Sequence, residues 1–356
     1  MAKYCIQFKP YDKYFNASSK PLFDVIKITE RVGYKPLFVA KHFDTRPYRI
    51  NKILAALQCI QIRLKLKKSD TLLLQWPFIR CYMRILLWAV SKSRNVQILL
   101  HDIDWVRYER ADNPWTMKFL SMAKSIIVHS PSMKNLLVSN GIDGNKIVVL
   151  SAFDYLTSDE VREARTKSKE VVFAGNLAKS EFLSQMSSAD LGFTLHCYGK
   201  KTENLADGLT YKGAFPPDEV SLLEGAWGLV WDGDSIETCS GSLGRYLLYN
   251  APHKLSLYIV AHLPVIVWDQ SAMAEYVRDK GLGICVASLK DISPKIEAMT
   301  DEEYATMLDN VRQEAKALKQ GTHLLNCLLK DVNGGGQKIT PYFGRSAHVE
   351  QIRVAA

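Results

Sequence analysis

Lys254 stands in the stretch Tyr249-Asn250-Ala251-Pro252-His253-Lys254-Leu255-Ser256-Leu257-Tyr258, which runs on through His262-Leu263-Pro264 into Val265-Ile266-Val267-Trp268. The pattern predicts a helix from Pro252 to about His262, then a buried strand from Val265. Proline suits the first helical position, where its missing N–H leaves nothing unpaired. Asn250, just before it, can accept orphan N–H groups. Leu255, Leu257, Ile259, Val260 and Ala261 make the helix apolar nearly all round, so it is expected to be buried. A buried helix that starts in polar residues offers its positive end to an anion. Lys254, in the first turn, adds a point charge suited to phosphate. An ordinary core helix with a capped start has the same local signature.

Other polar side chains fall at the ends of predicted strands. Val172-Phe173-Ala174-Gly175-Asn176-Leu177 reads as a strand, a glycine turn and a helix start, where backbone can approach a phosphate. Leu209-Thr210-Tyr211-Lys212-Gly213 ends a strand in Tyr and Gly, with Tyr211 free to stack on a ligand or to pack. Asp232-Gly233-Asp234 follows an apolar strand. Paired carboxylates can hold a divalent cation against a diphosphate, but three-residue patterns recur by chance. A ligand-facing loop without a metal is the reading adopted. Ser240-Gly241-Ser242-Leu243-Gly244 then looks like a mobile segment over the site. His101-Asp102-Ile103-Asp104 sets an imidazole and two carboxylates at the carboxyl end of a buried strand, the edge where open α/β sheets bind ligands. Asp102, with His101 next in line, could serve as a general base. A turn in which Asp102 accepts backbone N–H groups fits equally well.

The elements that must position these residues alternate along the chain. Strands are expected at Tyr4–Phe8, Pro36–Ala40, Thr71–Gln75, Val96–Leu100, Ser125–His129 and Lys146–Leu150, with helices between them. A polar, charge-rich stretch at 151–169 reads as a linker. A second alternating series runs from Glu170 to Val286, closed by helices up to Leu329. Apolar strands alternating with helices imply parallel, doubly wound sheets. The expected division is 1–150, a linker at 151–169, a second unit at 170–330 and a patternless tail at 331–356.

Composition bounds the partners. The chain has 356 residues, 47% hydrophobic and 23% charged, enough for two cores. Met1-Ala2-Lys3 runs straight into a strand pattern, so no leader peptide is expected, and no apolar run approaches membrane-spanning length. Seven scattered cysteines without metal spacing predict reduced thiols and a cytoplasmic location. Residues 1–150 carry 25 Lys+Arg against 10 Asp+Glu, or +15; the remainder carries 21 against 27, or −6, giving the overall +9. A basic first half calls for an anionic partner. Nucleic acid is not expected, because no clustered base-reading motif accompanies the charge. A helix at Ile79–Ser93 joins Arg80, Arg84, Lys92 and the adjoining Arg94 to Ile85, Leu86, Leu87 and Trp88, and the helix before it ends in Arg63, Lys65, Lys67 and Lys68. The apolar residues pack on the sheet with the basic ones solvated, or the basic face rests on anionic lipid at the inner face of a membrane.

The stretch Asn250-Ala251-Pro252-His253-Lys254-Leu255-Ser256-Leu257-Tyr258, with Phe173-Ala174-Gly175-Asn176-Leu177 and His101-Asp102-Ile103, resembles the glucosyltransferase 3-like family, to which β-1,6-galactofuranosyltransferases are close. Two positions depart from the wider pattern: Leu257 stands where a ribose-binding Glu is usual, and His262 where Gly is usual. The resemblance covers residues 1–330 and implies a GT-B fold, two Rossmann-like domains facing across a cleft. It implies an inverting, metal-independent hexosyltransferase without cofactor that moves glucose or galactofuranose from a UDP-sugar. The glycan acceptor, lipid-linked or on a glycoprotein, would sit on the N-terminal domain, and relatives often form homo-oligomers. It sets Gly175, Asn176, Lys179, Tyr211, Asp232, Tyr249, Asn250, His253, Lys254 and Ser256 around the nucleotide sugar. A non-catalytic subunit of the same fold, stabilising a partner transferase, is the alternative that Leu257 keeps open.

Overall fold

The computed structural model describes residues 1–8, 19–39, 48–77, 83–109, 114–161, 165–186, 191–201, 206 and 208–332. Arg80, Cys81 and nearly all of the 331–356 tail lie outside these residues. Twelve described strands form two six-stranded parallel sheets. The first contains β1 (Lys3–Phe8), β2 (Tyr34–Val39), β3 (Thr71–Trp76), β4 (Asn95–Leu100), β5 (Ser125–Val128) and β6 (Ile147–Val149), in the order β2-β1-β3-β4-β5-β6. The second contains β7 (Glu170–Ala174), β8 (Thr194–Tyr198), β9 (Thr210–Gly213), β10 (Trp227–Val230), β11 (Val265–Trp268) and β12 (Gly283–Val286), in the order β12-β11-β10-β7-β8-β9. Leu72, Leu73, Leu74, Ile98 and Leu99 are fully buried, as are Val265, Ile266 and Val267. Such continuous burial is what helices on both faces of a parallel sheet produce.

Strand order reverses between β1 and β3 in the first sheet and between β7 and β10 in the second. At such points the two flanking connections leave in opposite directions and open a crevice at the carboxyl edge. The two crevices face each other, because one cavity is lined by Gln75, at the end of β3, and by Asn176 and Asp232, which follow β7 and β10.

Two features of the chain bear on how the units are joined. The connecting stretch 151–169 begins with buried residues. Ala152, Phe153, Tyr155 and Leu156 are buried, and Lys20, itself fully buried, holds Asp24 at 2.6 Å and Asp218 at 3.0 Å beside them. The ammonium also lies 4.6 Å from the Tyr155 ring centroid. The part from Ala152 to Leu156 is therefore packed between the units. The last helix, Thr322–Val332, also departs from the linear division. Its Leu324, Cys327 and Leu328 share a core with Cys5, Val25 and Ile28 of the first unit. Apolar residues on one face of a helix pack on whichever core is left uncovered.

Gly321 makes that return. It ends the Asp301–Gln320 helix in the left-handed region at φ +77°, and a Cβ there would lie 2.7 Å from Ile28 Cγ1. Gly321→Ala combines backbone strain with an interdomain clash, and is expected to cost about 1–3 kcal/mol. A thermal melt should show the loss as a lowered midpoint; an unchanged midpoint would mean that the last helix does not depend on this turn. His262 shows the same conformation without glycine. Its φ of +56° retains the left-handed turn before Pro264, so the departure from Gly changes the residue and keeps the backbone.

Candidate active site between the two sheets

A cavity of about 540 Å³ lies between the units. From the first sheet it is lined by Gln75, His101, Asp102 and Arg107, and from the second by Asn176, Lys179, Asp232, Asn250, His253 and Lys254, with Phe153 and Tyr246 between. Eight of the twelve candidate residues therefore meet in one place.

The helix runs from His253 to Val260, and Pro252 is its cap (φ −63°, ψ 137°) rather than its first residue. The start is one residue later than expected because proline fixes φ alone and its ψ is free to stay extended. Asn250 does not cap the helix; its Oδ1 is buried without a hydrogen-bond partner. His253 stacks on Tyr155 at 4.9 Å, and its Nε2 is likewise buried and unpartnered. Lys254 is not a free cation. Its ammonium donates to Trp231 O at 2.9 Å and to Asp232 Oδ1 at 2.9 Å, and lies 4.7 Å from the Phe173 ring centroid. An ammonium has three protons, so one donor remains beyond these two contacts. Lys179 projects from the opposite lip, exposed and without an ion pair among the described residues. The segment Leu177–Lys179 is a single 3-10 turn, not the start of a long helix.

Four candidates do not reach the cavity. Ser256 is buried and its Oγ donates to Phe153 O at 2.6 Å. Tyr211 lies on the edge strand β9, where its hydroxyl donates to Gly199 O at 3.0 Å. Tyr249 packs against the core of the first unit, and its carbonyl accepts from Ser130 Oγ at 2.6 Å. Gly175 donates its N–H to Tyr198 O at 3.0 Å, and only its neighbour Asn176 faces the space. In each case a hydrogen bond or packing contact within the protein has taken the side chain or backbone assigned to the ligand.

On the other wall Asp102 and His101 differ in their freedom. Arg107 Nη1 lies 2.5 Å from Asp102 Oδ2, and the Tyr246 hydroxyl is beside the same carboxylate. Burial raises the Asp102 carboxyl above its usual range against the pull of Arg107. His101 Nε2 lies 2.9 Å from Gln75 Oε1. The Gln75 amide nitrogen faces Gln7 Oε1 and Leu22 O, which makes the Gln75 oxygen the group turned to His101. His101 therefore carries its proton on Nε2, and Nδ1 keeps its lone pair. Burial, with His129 and His253 nearby, pulls the His101 pKa down to about 3, so the ring is neutral near pH 7. Phe153 holds the group together, stacked on His101 at 5.3 Å and edge-on to His129 at 4.7 Å.

The segment expected to be mobile is instead a helix, Gly241–Tyr246. Tyr246 is buried in the core of the first unit, and its hydroxyl accepts the Ile103 N–H at 2.8 Å. Arg245 pairs with Glu109 beside it. These contacts fix the loop that carries His101 and Asp102. Gln75, Arg107, Phe153 and Tyr246 are the site residues that the sequence reading missed. Only Arg107 had a local signal, as a cation five residues after Asp102.

Comparison with known proteins agrees with this architecture. The sequence models of the Glucosyltransferase 3-like N-terminal and C-terminal domains match residues 3–152 and 171–331. The β-1,6-galactofuranosyltransferase WbbI of Escherichia coli K12 is 32% identical over 286 residues, covering 78% of this chain and 84% of that protein. Glucosyltransferase 3 of Streptococcus gordonii is 29% identical over 211 residues, covering 58% of this chain and 61% of that protein. Among solved structures, Anabaena HepE in complex with UDP and glucose superposes with a TM-score of 0.55 at 11% identity, covering 93% of this chain and 99% of that one. A variant of S. aureus TarM in complex with Fondaparinux, α-GlcNAc-glycerol and UDP gives 0.50 at 13% identity, covering 79% and 59%. The fold is GT-B. With both halves matched by its two domain models, the chain belongs to the glucosyltransferase 3-like family of glycosyltransferases.

Proposed function

We propose that the protein transfers a hexose, glucose or galactofuranose, from a UDP-sugar to a hydroxyl of a glycan acceptor, with inversion and without a metal. The observation that carries this reading is the unspent polar chemistry around one cavity: among the described residues Asn250 Oδ1 and His253 Nε2 have no hydrogen-bond partner, and Lys179 on the lip has no ion pair. Buried polar atoms are rarely left unpaired, so a polar ligand is the natural complement. The diphosphate lies between Lys254 and Lys179, near the start of the His253–Val260 helix. His101 Nδ1 takes the acceptor proton as the acceptor oxygen bonds to the anomeric carbon and UDP departs with the electrons of the broken bond. Asp232 is engaged by Lys254 and Asp234 by the Ser240 hydroxyl, so positive charge for the leaving group comes from lysine.

The acceptor, a glycan on a lipid or a glycoprotein, enters from the first unit, and a lipid-linked one would bring that unit to an anionic membrane face. Among the described residues no helix is long and apolar enough to cross a membrane. The test is UDP release from UDP-glucose, UDP-galactose, UDP-galactofuranose and UDP-N-acetylglucosamine, with a thermal-shift screen of the same ligands. No stabilisation and no release with any of them would remove the proposal. Lys254→Ala is expected to weaken UDP affinity at least about tenfold, the scale of one charge-assisted hydrogen bond. Calorimetry on the folded variant measures it; unchanged affinity would place the diphosphate elsewhere.

A further inference from the structure

The Tyr48–Lys65 helix has two apolar faces where one is enough. Ala55, Cys59 and Ile62 are buried against the sheet. Ile50, Ile53, Leu57, Ile60 and Leu64 recur on the far side at intervals of three and four residues, which sets them in one row. They are 45%, 61%, 50%, 40% and 76% exposed. Single exposed aliphatics are ordinary, but a continuous row marks a contact surface. Trp88 of the Met83–Val90 helix adds to the surface, 46% exposed with the Arg63 guanidinium 4.4 Å from its ring centroid. Of the apolar residues that the sequence set beside the basic ones in the next helix, Leu86 is buried and Trp88 is exposed; the Ile50–Leu64 row was not singled out.

The charge on this surface selects its occupant. From Thr45 to Ser69 the sequence has seven Lys or Arg and no Asp or Glu. Lys52, Lys65, Lys67 and Lys68 are exposed. Two copies of the chain joined row to row would bring these cations together with no carboxylate on the helix to meet them. An anionic bilayer meets both features, with acyl chains for the aliphatic row and headgroup phosphates for the lysines. We propose that this face is a peripheral lipid-docking surface, with the Ile50–Leu64 row seated at the boundary between headgroups and acyl chains.

The placement suits the site. The helix ends next to the start of β3, at the amino edge of the first sheet, and its 18 residues span about 27 Å. Its first turn therefore lies toward the carboxyl edge, where the cavity opens. Docking along the row would hold the cavity close to the lipid surface. The purpose rests on the membrane-presented acceptor of the proposed function; the binding itself does not.

Sedimentation of the full chain with vesicles of phosphatidylcholine, with and without phosphatidylglycerol, at low and high salt, tests the surface. The protein should pellet with the anionic vesicles and be released by salt. Ile53→Ser/Leu57→Ser/Leu64→Ser should weaken pelleting at least about tenfold, with an unchanged thermal melt because these side chains face solvent. Lys65→Glu/Lys67→Glu should abolish the preference for anionic vesicles without touching the aliphatic row. Equal recovery of the wild type in the supernatant under all conditions would overturn the proposal. So would light scattering that finds a dimer which the serine variant converts to monomer, because the row would then belong to a second copy. UDP affinity measured on the same variants separates this result from the transferase reading, since neither set of residues touches the cavity.

Discussion

His101→Gln is expected to lower turnover by about 10²–10⁴-fold, the range of a lost general base, and to leave UDP affinity unchanged. Glutamine keeps a polar side chain of similar reach but cannot accept a proton at neutral pH. The argument is one of availability. Asp102 has the stronger formal charge, yet its Oδ2 is held by Arg107 at 2.5 Å and its loop is pinned through Tyr246. A carboxylate that must leave an ion pair before accepting a proton starts with a barrier. His101 has its Nε2 proton fixed by Gln75, which leaves its other ring nitrogen, Nδ1, to accept a proton. Its low pKa comes chiefly from burial. A diphosphate beside it adds negative charge, which favours the imidazolium and raises its basicity when substrate is bound. Asp102→Asn should give a smaller loss, through a loosened Arg107 and a displaced loop. Single-turnover kinetics with parallel calorimetry separates the two variants. Near-normal turnover in His101→Gln would move the role to Asp102.

The sheets were legible because their strands are uninterrupted apolar runs, such as Leu72-Leu73-Leu74 and Val265-Ile266-Val267, and burial on both faces leaves little else for such runs to do. The Lys254 helix was legible for the same reason. The partners of individual polar side chains were not. Ser256 and Tyr211 sit in stretches that pointed to a ligand, but each has a nearby backbone carbonyl that its hydroxyl reaches first. Lys254 lines the cavity, and the carboxylate that pairs with it, 22 residues earlier, is itself a candidate that the sequence presents as independent. Phe153 and Tyr246 escaped notice because their meaning lies in contacts between the units. Phe153 meets His101, 52 residues before it in the chain, and Tyr246 meets Ile103, 143 residues before it. Periodicity reports which face is buried and carries nothing about what buries it.

Stability is expected to fall steeply as the pH is lowered from about 6.5 toward 4, because three histidines at the junction of the units are folded in their neutral form. The pKa is pulled down to about 4 for His129 and to about 3 for His101 and His253, in each case chiefly by burial. Lys20 adds to the effect at His253. His129 shows the structural consequence. Its Nε2–H donates to Leu100 O at 2.7 Å, and its Nδ1 accepts the Ala251 N–H at 3.1 Å. Protonating Nδ1 turns that acceptor into a donor and sets two N–H groups against each other just before the His253–Val260 helix. The folded pKa values lie below the unfolded value near 6.5, so the unfolded chain takes up protons first. The stabilising margin is therefore complete above that pH and shrinks as pH falls toward the folded values. Each histidine contributes a slope of about 1.4 kcal/mol per pH unit. Three give about 4 kcal/mol per unit as an upper bound, since His101 and His253 are partly reached by solvent through the cavity. His323 opposes this. Glu314, 2.8 Å away, raises its pKa, so its contribution is present at low pH and lost as pH rises through the folded value. Asp154, whose carboxyl burial raises to about 6, opposes it too, while His262, pulled down to about 4, and Glu314, pulled down to about 2, act with the three histidines and leave the net slope positive. Urea melts at a series of pH values measure the slope directly. His129→Gln, which cannot take up the proton, should flatten it by about one histidine's share, whatever its effect on stability at neutral pH. A wild-type midpoint independent of pH across this window would mean that these rings are not folded neutral, and the tautomer on which the His101 assignment rests would fall with it.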